Sequence, residues 1–165
     1  MKVRDATARD GAACAAIYAP YVRDTVVSFE SEPPTADEMA GRIAAALATH
    51  AWLVIEDSER VVGYAYGTQF RAREAYRRSC EVSAYVEPGH HGQGAGRLLY
   101  AELLGRLAAR GYHTAVAGYT VPNPGSDGLH RTLGFEPVGV YRSIGFKFGV
   151  FHDVAWVQRT LAPYR

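Results

Sequence analysis

A glycine-rich turn is the first segment of the sequence with a composition suited to binding a ligand. Gly92, Gly94 and Gly96 recur at two-residue spacing between a predicted strand end and a predicted helix start. Glycines in such a turn let backbone N–H groups converge, and the positive end of the helix dipole favours an anion. The pattern predicts a phosphate-binding or pyrophosphate-binding loop, with close strand-helix packing as the structural alternative.

Two common nucleotide-binding motifs are excluded for this turn. A Walker A loop requires Gly-Lys-Ser/Thr after four spacer residues, and the sequence contains no such tripeptide. A dinucleotide-binding turn requires a third glycine at fixed spacing and an acidic residue about twenty positions later, where this chain has Val116. The turn is therefore expected to hold pyrophosphate in a fold of another kind.

Two side chains are candidates for proton transfer. Glu81 lies among uncharged residues, and strand alternation places it on one face with Ser83 and Tyr85. Such surroundings raise the pKa of a carboxyl group and suit it to act as a general base, directly or through water. His152, in a closing strand, is a second candidate base or proton relay, and Asp153 can orient it only if the strand bends. A purely structural role is the alternative for both.

A basic loop precedes the strand of Glu81. Arg71, Arg73, Arg77 and Arg78 surround Tyr76. The planar guanidinium of arginine binds carboxylates and other oxyanions with paired hydrogen bonds. The loop thus indicates recognition of an anionic acceptor, with a solvated charged surface as the alternative.

Several segments resemble the GNAT superfamily of N-acetyltransferases. The turn from His91 to Gly96 is similar to the superfamily's acetyl-CoA loop, Gln/Arg-x-x-Gly-x-Gly/Ala, with His91 in the Gln/Arg position. The segment from Asn123 to Phe135 follows a second superfamily element at the same spacing. Over nearly its whole length the chain resembles phosphinothricin and methionine sulfoximine acetyltransferases, and the segments 145–149 and 152–154 make this resemblance specific.

The resemblance implies a fold and an activity. The fold is α/β, with a mixed central sheet that splays between strands four and five and is flanked by helices. The activity is transfer of an acetyl group from acetyl-CoA to the α-amino group of phosphinothricin, methionine sulfoximine, methionine sulfone or a similar amino acid. The alternatives are acetylation of another small amine or a protein N-terminus, or a non-catalytic acyl-CoA sensor.

The resemblance also implies roles for particular residues. Glu81 would be the base, and His130 would protonate the departing thiolate, at a position where many members of the superfamily have tyrosine. Phe29 and Tyr76 would wall the acceptor pocket, with Arg71 and Arg73 as its cationic groups. The predicted cofactor-binding residues are Tyr85, Val86, His91, Gly92, Gln93, Gly94, Ala95, Gly96, Arg97, Asn123 and Ser126.

Hydrophobic periodicity and turn signals predict the elements that position these residues. The predicted order is β, α, α, β, β, β, α, β, α, β, β, unlike the regular alternation of a doubly wound nucleotide fold. Thr7 and Thr35 each precede an acidic residue three positions on, which is a helix-start signal. The first helix is expected to end near Pro20, and the turn at residues 57–59 predicts a hairpin.

The composition of the chain limits the number of domains and the kinds of partner that we expect. The chain has 165 residues, 48% of them hydrophobic, with a formal net charge of +1, so we predict one domain, 1–165, without a nucleic-acid or membrane partner. Cys14 and Cys80 lie in apolar runs and are predicted to be buried and reduced. The histidine and cysteine spacing predicts no metal site. We expect a cytoplasmic protein and, from the resemblance, a homodimer.

Overall fold

The computed structural model of the protein describes residues 1–162, so the last three residues of the predicted domain lie outside the described part. Its strands are β1 (Lys2–Asp5), β2 (Ala51–Asp57), β3 (Arg60–Gln69), β4 (Ser79–Val86), β5 (Thr114–Val121), β6 (Glu136–Lys147) and β7 (Val150–Thr160). Its α-helices are α1 (Gly11–Asp24), α2 (Ala36–Thr49), α3 (Ala95–Ala109) and α4 (Pro124–Thr132), and short 3-10 helices cover Ala8–Asp10 and Glu74–Tyr76. The order of strands and α-helices confirms the predicted order.

The first helix differs from its prediction at its C-terminal end. α1 continues through Pro20 to Asp24 instead of ending near the proline. A proline inside a helix removes one hydrogen bond and crowds the preceding turn, at a cost of about 3 kcal/mol. Beyond the proline, Val22 is 1% exposed and packs in the core, which helps to offset that cost. The prediction of a helix end near Pro20 was wrong because tertiary packing outweighs this local signal.

Helices cover both faces of one mixed sheet. The strands of residues 1–162 lie in the order β1-β2-β3-β4-β5-β7-β6. α3 packs on one face, where Leu99 and Leu103 are fully buried. α1 and α2 cover the other face over Trp52 and Tyr64. This arrangement confirms the predicted α/β architecture. Within residues 1–162, no helix combines the length and the apolar composition that a membrane span requires.

Both cysteines are buried free thiols, as predicted. Cys14 and Cys80 are each 0% exposed, and neither forms a disulfide. Burial raises the pKa of each thiol to about 12, because the charged thiolate loses its hydration. Neither sulfur is therefore suited to act as a nucleophile near neutral pH.

β4 and β5 diverge after a short parallel contact. Residues 79–81 pair with residues 114–116, and the pairing of these two strands ends there. On its other side β5 remains paired with β7 as far as Val121. The sheet therefore opens along the second half of β4, which confirms the predicted splay.

The β6–β7 hairpin contains a bulge. Tyr141 pairs with Val154 and Gly145 pairs with His152, so three residues of β6 lie opposite one residue of β7. Ser143 has a positive φ of 49° in this bulge, and its N–H donates to Asp153 Oδ1 at 2.7 Å. The bulge adds two residues to β6, so the alternation of faces is kept across it while the pairing register with β7 shifts by two.

Candidate active site

Two adjoining cavities meet at Glu81 beside the gap between β4 and β5. The first has a volume of about 590 Å³ and is bounded by the loop after β3 and by β6. The second has a volume of about 340 Å³ and is bounded by the loop after α1 and by β5. Glu81, Tyr141 and Trp156 line both cavities. One carboxyl group is thus accessible from two directions.

A larger cavity elsewhere in the molecule is not the candidate active site. It has a volume of about 670 Å³ and lies between the end of α2 and the outer side of α3. Its lining contains none of the residues predicted for the site, and its Arg106 is paired with Asp5 at 2.5 Å. We therefore place the candidate active site at Glu81.

The Glu81 side chain is half-buried and has no local partner. Glu81 lies opposite Thr68 of β3 and Val116 of β5, so uncharged residues flank it on both sides. No hydrogen bond or ion pair reaches its carboxyl group from residues 1–162. Burial raises its pKa, since the carboxylate loses hydration without gaining a cation. This is the environment predicted for a general base.

The backbone, not Asp153, orients His152. The His152 Nε2–H donates to the carbonyl oxygen of Lys147 at 3.0 Å, which leaves Nδ1 as the proton-accepting nitrogen of the neutral ring. Asp153 points to the other side of β7, where it binds the bulge. The His152 ring lies 6.2 Å from the ring of Phe29, which in turn lines the second cavity. His152 therefore lies beside a wall residue of that cavity but does not line the cavity itself.

The basic loop contributes one arginine to the Glu81 cavities. Arg71 lines the first cavity with Tyr76, and its guanidinium lies 5.0 Å from the Phe70 ring centroid. It has no acidic partner within residues 1–162. Arg73 is exposed and does not line either cavity, and Arg77 pairs with Glu74 at 3.5 Å. Arg71 is thus the arginine of this loop that lines a cavity together with Glu81.

The glycine turn leads directly into α3. Gly92 and Gly94 have φ values of 76° and 85°, a region that other residues rarely adopt. A Cβ atom at either position would meet no atom within 4 Å, so the space in front of the turn is open. Ala95 begins α3, whose first N–H groups lack partners within the helix. The turn fits a pyrophosphate group.

The end of β4 faces the gap next to this turn. Glu87 N–H donates to Val62 O on the β3 side at 2.8 Å, so the neighbouring peptide groups of Val86 point away from β3 into the gap. There the Val86 carbonyl accepts hydrogen bonds from the Tyr21 hydroxyl and, at 3.0 Å, from His91 Nε2. His91, which occupies the Gln/Arg position of the acetyl-CoA loop motif, thus links the turn to Val86 of β4 and to Tyr21 of α1.

The other predicted cofactor residues differ in how far their side chains are engaged in the fold. The Tyr85 ring packs against Tyr18 with centroids 4.8 Å apart, so the main chain is the part of Tyr85 that remains for a ligand. Asn123 Oδ1 accepts the N–H of Ser126 at 3.0 Å and caps α4. Gln93 and Arg97 are exposed beside the glycine turn.

His130 is a buried residue of α4. It is 5% exposed, and its Nδ1–H donates to Ser126 O at 2.7 Å while Nε2 lies 3.3 Å from the Tyr100 hydroxyl. The ring stacks on Tyr119 with centroids 5.2 Å apart. Burial lowers the His130 pKa, so the neutral ring is favoured.

Residue spacing did not identify all the residues that line the cavities. Trp156 packs over Gly118, where an added Cβ would lie 2.9 Å from its ring, and it lines both cavities. Alternation along β7 puts Trp156 on the face of His152, which is the one sequence signal for its position. Tyr141 also lines both cavities, and its position depends on the register of β6 against β7, which spacing along the chain does not show.

Gly94→Val is expected to raise the KM for acetyl-CoA at least about tenfold, or about 1.4 kcal/mol. Valine is strained at a φ of 85° and fills the open space in front of the turn. Steady-state kinetics measures the effect. The control is Gly111→Val, which carries similar strain at a φ of 94° beyond the other end of α3. Normal acetyl-CoA binding by a folded Gly94→Val variant would place the cofactor elsewhere.

Comparison with known proteins agrees with this geometry. Residues 3–156 match the family model of the acetyltransferase (GNAT) domain. Phosphinothricin N-acetyltransferase of Streptomyces coelicolor is 39% identical to the chain over 98% of its length and 96% of the relative's. L-methionine sulfoximine/L-methionine sulfone acetyltransferase of Pseudomonas aeruginosa is 35% identical over 99% and 96%. The crystal structure of a phosphinothricin acetyltransferase from Sinorhizobium meliloti with AcCoA superposes with a TM-score of 0.92, at 38% identity over 96% and 87% of the two chains.

Proposed function

The chain belongs to the GNAT acetyltransferase family, and on that premise we propose that it acetylates the α-amino group of an amino acid resembling phosphinothricin, methionine sulfoximine or methionine sulfone. The observation that carries the proposal is that one cavity contains a carboxyl group, Glu81, and a guanidinium, Arg71, neither of which has an ion-pair partner within residues 1–162. A base and an anion-binding group at one site suit an acceptor that has both an ammonium and an oxyanion.

We place acetyl-CoA at the glycine turn and along the gap beside β4. Bound there, acetyl-CoA supplies the acetyl group as an activated thioester. Gly92 to Gly96 offer backbone N–H groups for the pyrophosphate, and the α3 dipole favours its charge. The Val86 N–H, which faces the gap, is the proposed donor to the acetyl carbonyl oxygen.

Glu81 is the proposed base. Its raised pKa makes the carboxylate a stronger proton acceptor for the ammonium of the substrate than an ordinary exposed glutamate is. His152 Nδ1 is the second candidate, because its ring is held beside Phe29, which lines the second cavity. For His130 to protonate the departing thiolate, its Nε2 must leave the Tyr100 hydroxyl and contact the sulfur instead. Because a thiol has a pKa of about 8.5, protonation by His130 would accelerate thiolate departure only modestly.

The acceptor is proposed to bind at Glu81, between the Tyr76 wall of the first cavity and the Phe29 wall of the second. Arg71 binds its carboxylate or its second oxyanion, and Tyr76 and Phe29 provide apolar contact on the two sides of Glu81. Arg73, on the same loop, is the proposed partner for the remaining anionic group. Polyamines are poor candidates, because their positive charge is repelled by the guanidinium of Arg71 in the cavity lining.

An acceptor screen tests the proposal. Release of the coenzyme A thiol is followed with phosphinothricin, methionine sulfoximine, methionine sulfone, methionine, spermidine and a short peptide as acceptors. We expect the first three to be the best acceptors by kcat/KM. A preference for methionine, spermidine or the peptide contradicts the proposed substrate class. Binding of acetyl-CoA without thiol release for any acceptor supports an acyl-CoA sensor.

We further propose a single-domain cytoplasmic enzyme that forms a homodimer through the β6–β7 hairpin. Eight of its large apolar side chains are each between 51% and 65% exposed, which is unusual for a monomer surface: Val138, Val140, Tyr141, Ile144, Phe146, Phe148, Val150 and Phe151. The two buried cysteines are compatible with a reducing compartment.

Replacing Phe146 and Phe151 together by Asp is expected to weaken the dimer by at least about 100-fold. Their rings lie 5.0 Å apart on the exposed face, so the charges would enter the proposed interface. Sedimentation equilibrium or light scattering measures the mass, with Leu98→Asp on α3 as the control for an exposed apolar residue. A wild-type chain that is monomeric at micromolar concentration contradicts this assignment.

A further inference from the structure

The ammonium group of Lys147 holds the end of α1 and the loop that follows it. Lys147 Nζ lies 2.6 Å from Val22 O, 2.7 Å from Thr25 O and 2.7 Å from Ser28 O. An ammonium group has three N–H donors, and here each donor has one carbonyl acceptor. Lys147 is one of two lysines among eighteen basic residues, and the other is Lys2.

A lysine suits this position better than an arginine does. The three carbonyls converge on one atom, which matches a compact ammonium and not a planar guanidinium fork. Val22 lies in the last turn of α1, where carbonyl groups lack helical partners and carry the negative end of the dipole. Thr25 and Ser28 lie outside helices and strands, so Lys147 supplies hydrogen bonds that the loop backbone needs.

The same loop forms one wall of the site. Phe29 follows Ser28, and its ring covers Gly145, where an added Cβ would lie 2.2 Å from the ring. Phe29 lines the cavity that also contains Glu81. A second anchor holds the loop from the sheet, since Thr120 Oγ1 donates to Val26 O at 3.0 Å. The position of Phe29 thus depends on backbone anchors from β6 and β5.

Lys147 also acts through its main chain. Its carbonyl oxygen accepts the His152 Nε2–H, as described above, so one residue fixes both the Phe29 loop and the His152 ring. The two ring centroids, those of Phe29 and His152, lie 6.2 Å apart, and Phe29 lines the second cavity. Lys147 itself does not line either Glu81 cavity.

We propose that Lys147 is a positioning residue that determines acceptor selectivity by holding Phe29 at the cavity wall. The inference rests on the proposed function, because it assigns Phe29 to the acceptor side of Glu81. The side-chain hydrogen bonds carry this effect, whereas the backbone contact to His152 survives substitution. Loss of the ammonium releases the loop, and the wall beside the acceptor then loses its fixed position.

Lys147→Met tests the inference, because methionine retains an apolar chain without the donors. We expect the acceptor KM to rise about tenfold or more, while the KM for acetyl-CoA and kcat change by less than about threefold. Lys147→Arg should rescue only part of the loss, and Lys2→Met is the matched control. Equal changes in all three parameters, or an unchanged acceptor KM, would overturn the proposal.

Two further variants test the route through Phe29. Gly145→Ala places a methyl group against the Phe29 ring without altering Lys147, and it should reproduce the rise in acceptor KM. In a Phe29→Ala background, Lys147→Met should cause no additional rise, because coupled residues are not additive. Full additivity of the two substitutions contradicts the proposed route.

NMR of the wild-type protein provides a readout without activity. Lysine-selective ¹⁵N labelling gives two side-chain signals, and the Lys147 ammonium protons should exchange with water much more slowly than those of Lys2. Equally fast exchange of the Lys147 and Lys2 ammonium protons would contradict the proposal that Lys147 anchors the loop.

If the enzyme acetylates a different class of amine, the proposed substrate class fails. Selectivity is then measured with the acceptors that the enzyme does use, and the predicted split between acceptor and acetyl-CoA KM remains testable.

Discussion

Glu81→Gln is expected to lower kcat by about 100-fold or more, with little change in the KM for acetyl-CoA, because it removes the proposed base but preserves the shape of the side chain. Glu81 has no partner in the described fold, so the loss is not explained by a broken ion pair. Single-turnover and steady-state rates with the best acceptor measure it. Glu102→Gln, an exposed carboxyl on α3, is the control.

The pH profile supplies a second test of Glu81. Its pKa is raised from 4.5 by burial, so the active carboxylate is lost as the pH falls through that raised value. The acid limb of kcat/KM should therefore lie above pH 4.5 and should be absent or shifted in Glu81→Gln. A Glu81→Gln enzyme with wild-type turnover across pH 6 to 9 would remove Glu81 as the base and favour His152, which His152→Gln would then test.

Glu81 should also affect stability with a defined sign. The folded state binds the Glu81 proton more tightly than the unfolded state, so its contribution to stability is complete below pH 4.5. That contribution is lost as the pH rises from 4.5 through the raised folded pKa. At neutral pH, Glu81→Gln should thus be at least as stable as the parent, as measured by thermal unfolding. A marked loss of stability would indicate a structural role.

Arg71→Ala is expected to reduce kcat/KM for the acceptor by about 10- to 150-fold, which corresponds to about 1.5–3 kcal/mol for a charge-assisted hydrogen bond. Arg71 lines the Glu81 cavity and has no acidic partner in residues 1–162, so its charge is available to a substrate oxyanion. Sulfoximine, sulfone and phosphinate amino acids should all be affected, while the KM for acetyl-CoA stays unchanged.

Neighbouring arginines make the Arg71 experiment selective. Arg77→Ala is the control, because Arg77 is exposed and already pairs with Glu74. Arg73→Ala should also weaken acceptor use if the loop binds two anionic groups. Wild-type acceptor kinetics in both Arg71→Ala and Arg73→Ala would show that the loop is a solvated surface, and the proposed substrate class would lose its main physical support.

Local sequence signals were sufficient for the order of elements and for part of the site. Hydrophobic periodicity and turn residues depend on neighbours within a few positions, so they predicted the strand-helix order and the α2 start at Thr35, whose side chain accepts Glu38 N–H. Alternation likewise placed Glu81 among uncharged neighbours, where burial raises its pKa. The glycine turn at the start of α3 was predicted for the same reason, because φ preferences are local.

Tertiary structure decided which distant residues meet. The register of β5, β7 and β6 brought Tyr141 and Trp156 to the cavities of Glu81, and packing of Val22 carried α1 past Pro20. Lys147 reaches carbonyl groups more than one hundred positions away, and no periodicity encodes such a contact. Spacing alone also could not show which arginine of the basic loop lines the cavity, because loop backbones have no repeating geometry. Residue types thus determined the available chemistry, whereas long-range register and packing determined which groups share one cavity.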